Sequence, residues 1–258
     1  MLRQYANIIF SGGFTRLSQV HQRMTKNFPT PLVDQLLTDG VIRTNRTRNV
    51  IRIITTACVQ DSDSTIDLRD FQTGARQAIQ LSVENLFSPS MMDFAVNGAE
   101  PCEANEFLKG ACTGRLYRNL VSYAGRVAKS NEGILQPQTI DICSIVDGLF
   151  EEDDNGEKVS LTVACSIPYT RQPYEKEETA SDLEHRINTA GDDKEVEETS
   201  DVEKNVEEAT AVSESKDKAK NGVLHIVASF GSPIPSSGDL EWVLEDLLLT
   251  GMSGKVHA

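Results

Sequence analysis

The sequence predicts an α+β domain, with N-terminal helices packed on an antiparallel sheet. Three observations carry that reading. Residues 65–129 show apolar periodicity of the helical kind, and residues 139–169 switch to runs rich in Ile, Val and Leu. An Asn155-Gly156 pair splits the second region, as expected for a tight hairpin between antiparallel strands. Helical segments followed by strand segments, rather than strictly alternating ones, mark α+β over α/β.

The chain opens with a compositional anomaly. Its 258 residues carry a formal net charge of −14, yet the first acidic residue is Asp34. Residues 1–33 instead hold Arg3, Arg16, Arg23 and Lys26 interleaved with Ser11, Thr15, Ser18 and Thr25. An acid-free, Arg- and Ser-bearing start is the mark of an organellar transit peptide. Leu2, Tyr5, Ile8 and Ile9 fall at helical spacing, which gives such a leader an apolar face. A secretory signal fits less well, because Ser11-Gly12-Gly13 interrupts the apolar stretch. The expectation is a mitochondrial transit peptide over 1–33; the bland alternative is a basic tail. No apolar run approaches the roughly 18 residues of a membrane-spanning helix.

The stretch that follows is basic. Arg43, Arg46, Arg48 and Arg52 form a cluster in which, on a helix, Arg48 and Arg52 are four apart and share a face, with Arg43 and Arg46, three apart, one turn earlier. Such a cluster suits an acidic partner, anionic lipid or RNA, and it equally suits a solvated face paired with nearby acids. Residues 65–87 give the clearest helix, capped by Asp67 or Ser64, with Leu68, Phe71, Ala75, Ala78, Ile79, Ser82 and Leu86 along one face. Ser88-Pro89-Ser90 ends it, since a residue before proline is pushed out of helical space. Residues 91–95 read as one more turn. Residues 103–129 read as a second long helix on Phe107, Ala111, Leu116, Leu120, Ala124 and Val127; Gly110, Gly114 and Gly125 either weaken it or mark close packing.

Strands are expected over 139–150, 159–169 and 223–230, the last broken by Gly231-Ser232-Pro233-Ile234-Pro235. Residues 240–249 read as a fourth strand or a closing helix, with Trp242 as a core anchor. Folding about the hairpin turn brings Cys143 close to Cys165, either as a cross-strand disulfide or as two small buried apolar groups; the second suits a reducing compartment and an odd total of five cysteines. Between the second and third strands lies an acidic block. Residues 175–220 contain sixteen acidic residues against seven basic ones and almost no aromatics, a composition that cannot bury enough apolar surface to order itself. The expected organisation is therefore a leader (1–33), helices and hairpin (34–171), a disordered acidic insert (172–221), and closing strands of the same domain (222–250). The insert is either an acidic docking tract or a solvated loop.

No catalytic constellation emerges. The sequence lacks a phosphate loop, a dinucleotide-binding glycine motif, a metalloprotease helix motif and a nucleophile elbow. No two cysteines are spaced as a zinc knuckle. Of the four histidines, only His225 falls in the expected fold, alone on a strand. No catalytic, cofactor-binding or metal-ligating residue is assigned, and the acidic chain gives no expectation of direct DNA binding.

The segment Asp67-Leu68-Arg69-Asp70-Phe71-Gln72-Thr73-Gly74-Ala75-Arg76-Gln77-Ala78 resembles the first long helix of the m-AAA protease-interacting proteins of the mitochondrial matrix, with Phe71, Gly74 and Ala75 at the motif positions. Ile51-Arg52-Ile53-Ile54 resembles the family's Arg-bearing helix just upstream, and Asp239-Leu240-Glu241-Trp242 its closing strand. The resemblance covers most of 32–170 and 222–250 and is sharpest in the first helix. That family is similar to the Tim forty-four-like domain of the import-motor scaffold and of a membrane-associated protein of the mitochondrial large ribosomal subunit. The resemblance implies a curved, cone-like sheet with an apolar pocket, a matrix location peripheral to the inner membrane, no cofactor, and an adaptor role: binding the m-AAA protease and assisting maturation of imported proteins. A ribosome-to-membrane tether or an import-motor scaffold is the alternative. Two departures stand out: the acidic insert has no place in the family pattern, and the upstream helix is less apolar.

Overall fold

In a computed structural model of the chain, residues 21–58, 65–98, 100–130, 134–153, 156–172, 221–234, 240–251 and 256–257 are described. The start of the expected leader, its Gly12-Gly13 break and the acidic block all lie outside them. After a helical stretch at 21–27, the helices are α1 (Thr30–Thr38), α2 (Thr47–Ala57), α3 (Leu68–Leu86), α4 (Pro89–Asn97), α5 (Glu103–Ala111) and α6 (Gly114–Lys129). They precede β1 (Ile134–Pro137), β2 (Ile142–Asp153), β3 (Gly156–Gln172), β4 (Asn221–Pro233), β5 (Val243–Thr250) and β6 (Val256–His257). The strands form one antiparallel sheet curled into a half-barrel, so the class is α+β with helices N-terminal to the sheet.

β3 organises the sheet. One of its edges pairs with β4 from Lys158 to Thr170, and the other is shared by β2, up to Ser166, and β1, from Tyr169 onward. Pro168 sits where β2 has ended and β1 has not begun. Its carbonyl accepts from the amide of Gln138 on that side, so the N–H it lacks falls in the gap rather than in a ladder. Val159, Leu161, Val163, Cys165, Ile167 and Tyr169 alternate into the core, joined by Leu224, Ile226, Ala228 and Phe230 of β4. The β2–β3 hairpin closes with Gly156 opposite Asp153, and Gly156 takes φ +121°, which glycine alone adopts cheaply.

α3 lies against this sheet with Leu68, Phe71, Ala75, Ile79, Ser82, Val83 and Leu86 buried. Asp67, rather than Ser64, caps it, accepting from the amides of Arg69 and Asp70 at 2.8 and 3.1 Å. The Phe71 ring meets Trp242 at 4.7 Å and Phe230 at 5.9 Å, which ties the helix to the closing strands. The expected closing strand is confirmed over the helix alternative: residues 243–250 pair with β4.

Several expectations are corrected. Residues 89–97 form a nine-residue helix, not a single turn, because Pro89 at its first position and Ser88, whose Oγ accepts from the Met91 amide, begin a helix as readily as they end one. The long helix over 103–129 is two helices. Cys112 is extended and bridges Leu244, Thr113 donates its amide to the Leu244 carbonyl at 2.9 Å, and the Thr113 hydroxyl caps α6. A sheet contact thus outbids continued helix, and the Tyr117 hydroxyl, donating to buried Asn105, holds the two pieces together. Of the three glycines there, only Gly125 marks close packing, its Cα facing the Ala95 carbonyl; Gly110 and Gly114 look onto open space. β4 continues through Gly231-Ser232-Pro233 instead of breaking. At Gly231 the Glu245 side chain crosses the missing Cβ to pair with Lys158 at 2.6 Å. β1 and β6 are short and carried no alternation long enough to read.

Folded structure also begins ahead of the expected leader boundary at Val33. α1 starts at Thr30, Phe28 and Leu32 pack on the core, and the Thr55 hydroxyl lies 3.7 Å from the Met24 sulfur.

Gly148 and Gly74 make opposite predictions. A Cβ at Gly148 would lie 2.9 Å from the Ile53 backbone of α2, whereas one at Gly74 would meet nothing. Gly148→Ala is expected to destabilise the protein by about 1–3 kcal/mol. Gly74→Ala, in the exposed interior of α3, is expected to stabilise it by about 0.5–1 kcal/mol. Urea midpoints of the two variants at constant slope test both.

Candidate functional site

β2 is the exposed margin of the sheet, and its unpaired backbone groups need partners from elsewhere. They come from the helical half. α1 ends at Asp39, Gly40 turns the chain with φ +72°, and Val41-Ile42-Arg43 then runs alongside β2 as a one-residue parallel bridge. The Ile145 amide donates to the Val41 carbonyl at 2.8 Å, and the Arg43 amide donates to the Ile145 carbonyl at 3.0 Å. Further along, Asn49 Nδ2 donates to the Val146 carbonyl at 3.2 Å and Arg52 Nε to the Gly148 carbonyl at 3.0 Å. Arg52 also pairs with Asp147 at 3.0 Å.

α3 serves the other end of β2. Gln72, Arg76 and Gln80 recur every fourth residue and so form one polar stripe beside the apolar one. Gln72 Nε2 donates to the Cys143 carbonyl at 2.6 Å, and Arg76 donates to the Ile140 carbonyl. Gln80 receives the Ile140 amide at 3.0 Å and donates to the Gln138 carbonyl at 3.0 Å. The chain from β1 to β2 therefore lies along a helix surface rather than another strand.

Between α1, this stripe and β2 opens a cleft of about 640 Å³. Its charged lining is Asp39, Arg43, Arg76 and Asp141, and Cys143 and Ser144 belong to its wall. Asp39 is engaged by Arg69 at 2.6 Å, and the Ser144 hydroxyl donates to the Gly40 carbonyl at 2.7 Å. A second groove of about 760 Å³ flanks the bridge on its other side, lined by Thr44, Asn45, Asn49 and Asp147. Arg43 lines both.

The four arginines singled out in the sequence do not form one helical face. Arg43 lies in the bridge and Arg46 is the residue before α2; only Arg48 and Arg52 are helical. Arg43, Arg46 and Arg48 are exposed, while Arg52 is half-buried by its bonds to β2. Arg43 thus lines both grooves, Arg46 and Arg48 are exposed next to it in the chain, and Arg52 holds the fold. Of the motif positions on α3, Phe71 and Ala75 are core residues and Gly74 is exposed. His225 lies on the solvent face of β4, its Nδ1 3.1 Å from the Ser166 hydroxyl. Among the described residues no group of His, Cys, Asp and Glu is arranged to hold a metal ion, and no helix is long and apolar enough to cross a membrane.

The cysteines divide into two kinds. Burial pushes the Cys58 thiol up to about 11, with Arg23 opposing, and the Cys112 thiol up to about 12. Cys143 and Cys165 are direct ladder partners, as the hairpin reading expected, with sulfurs 3.0 Å apart and no disulfide between them. The hydrogen bond from Cys165 holds the Cys143 thiol below its ordinary range, against burial and with help from Arg76; the same bond, with burial, raises Cys165.

Sequence reasoning missed Gln72, Arg76, Gln80, Asp39 and Asp141. The first three had a legible signal, their spacing of four on the flank of the best helix. The two aspartates had none, since neighbours across the cleft are distant in the chain. Comparisons with protein-family models and with curated proteins find no match.

Replacing Gln80 by Ala removes partners from both the Ile140 amide and the Gln138 carbonyl. The expected cost is about 1–3 kcal/mol, read as a lowered denaturant midpoint. Asp39→Ala, which breaks an exposed ion pair, is expected to cost under about 1 kcal/mol in the same assay.

Proposed function

We propose that the protein is a non-enzymatic adaptor of the mitochondrial matrix, peripheral to the inner membrane, which binds the m-AAA protease and assists maturation of imported proteins. The observation that carries this reading is the Asp67–Ala78 segment. The stretch that resembles the adaptor family's first long helix is the N-terminal part of α3, the helix that joins the helical half to the sheet. The order around it, helices first and then a curled antiparallel sheet closed by the Trp242 stretch, is the order that the resemblance implies. The acid-free start of the chain supports the compartment.

The binding surface in this proposal is the rim formed by Arg43, Arg46 and Arg48. These exposed cations stand on an otherwise acidic protein, Arg43 in the lining of both grooves, and they suit an acidic protein surface. Arg52 is excluded from that role because its guanidinium is committed to Asp147 and Gly148. The same rim keeps a ribosome tether as the second reading, since exposed arginines also suit ribosomal RNA.

Crosslinking mass spectrometry in intact mitochondria, with the full chain as bait, tests the proposal. Subunits of the m-AAA protease crosslinked near residues 43–48 are the expected result. Charge reversal of Arg43, Arg46 and Arg48 to Glu is expected to weaken capture by about tenfold, on the order of 1.4 kcal/mol, while leaving the denaturant midpoint in place. Crosslinks to the large ribosomal subunit, lost at high salt, select the tether instead. Recovery of neither protease, import-motor nor ribosomal components overturns the proposal.

A further inference from the structure

Outside the surface just described, the Cys143–Cys165 pair stands apart from the other buried thiols. The two residues face each other directly in the β2–β3 ladder. Antiparallel partners have Cα atoms about 4.5–5.5 Å apart, and disulfides span Cα separations of about 4.4–6.8 Å. The sulfurs already lie 3.0 Å apart, and a bond of about 2.05 Å requires side-chain adjustment without movement of the strands. Cys143 belongs to the wall of the open cleft, while Cys165 lies behind it on the central strand. Gln72, bonded to the Cys143 carbonyl, and Ser144, bonded to Gly40, hold this stretch of β2 in place.

We propose that Cys143 and Cys165 are a thiol–disulfide exchange pair, in which Cys143 attacks a low-molecular-weight disulfide entering the cleft and Cys165 resolves the product. The two roles follow from position. Cys143, though only 7% exposed, is in the lining of the cleft; Cys165, 4% exposed, is not. Arg43 and Arg76 line the cleft beside Asp141 and an Asp39 that Arg69 engages, and the two arginines suit an oxidant that carries carboxylates, such as oxidised glutathione. In the first step the Cys143 thiolate forms a bond to one sulfur of the oxidant, whose sulfur–sulfur bond breaks and releases one thiolate. In the second, Cys165 gives up its proton and its sulfur attacks Cys143, releasing the second thiolate. Two protein thiols are oxidised and one disulfide is reduced to two thiols, with the protons carried by the released thiolates. The product bond staples edge strand β2 to β3 at the stretch of β2 that Gln72 of α3 holds, so that edge becomes covalently fixed to the sheet under oxidising conditions. The shift of Cys143 toward thiolate, opposite to that of Cys58 and Cys112, agrees with the assigned roles.

The test uses the reduced full-length chain, incubated natively with oxidised and reduced glutathione at graded ratios. The samples are then quenched in acid, alkylated under denaturing conditions and mapped by mass spectrometry. A Cys143–Cys165 linkage is expected at ratios where Cys58 and Cys112 are still alkylated, with attack at Cys143 at least about tenfold faster than at Cys58. Cys165→Ala is expected to accumulate glutathione on Cys143, and Cys143→Ala to yield neither the linkage nor an adduct at Cys165. The wild-type measurement decides even where a variant folds poorly. Both thiols remaining alkylated at the oxidised end overturns the proposal, as does a glutathione adduct that persists on wild-type Cys143 or forms first at Cys58 or Cys112.

Discussion

The architecture rests on the open edge of β2. An edge strand presents unpaired amides and carbonyls, and leaving them buried without partners costs about 1–3 kcal/mol each. This chain meets that constraint with groups from two helices and from the segment that follows α1. The Val41–Arg43 bridge supplies backbone partners, Asn49 and Arg52 supply side chains from α2, and Gln72 supplies one from α3, while Arg76 and Gln80 hold the stretch 138–140 that leads into β2. The result joins the N-terminal half to the sheet through directional bonds as well as apolar packing. It also explains Gly148, where α2 approaches the strand too closely for any side chain.

The clefts follow from the same arrangement. A bridge of one residue touches β2 at a single point, so grooves are left on either side of Arg43. The α3 stripe forms one wall of the larger groove, and Cys143 comes to its lining because Gln72 fixes that stretch of β2. Structural demand and exposed chemistry therefore share residues. Arg52 resembles Arg48 in sequence, four positions away on the same helix, yet one is consumed by the edge and the other stands in solvent.

Much of the fold was legible where local signals and tertiary demand agree. The apolar stripe of α3, its Asp67 cap, the proline that stops it and the hairpin about residue 156 all depend on neighbours in the chain. The reading failed where a distant contact outweighed local preference. The break at Cys112-Thr113 exists because Leu244 offers a backbone partner, and β4 persists through Gly231 because β3 and β5 pair with it there, the glycine leaving room for Glu245 to reach Lys158. The candidate site was half legible. Its arginines and cysteines were visible as types and spacings, but their division of roles was not.

The sequence alone determined the class of the fold, the placing of its helices ahead of its sheet, the contrast between a basic start and an acidic remainder, and the meeting of Cys143 with Cys165. All of these follow from periodicity, turn chemistry and composition, which are properties of short windows. Only the tertiary structure decided which arginines remain exposed, which glycine is crowded, where a long helical pattern divides and which cysteine lines a cleft. Those outcomes depend on which backbone groups of the sheet, at β2 and at Leu244 of β5, still lacked partners once the strands had paired, a requirement that belongs to the assembled molecule and to no segment of it.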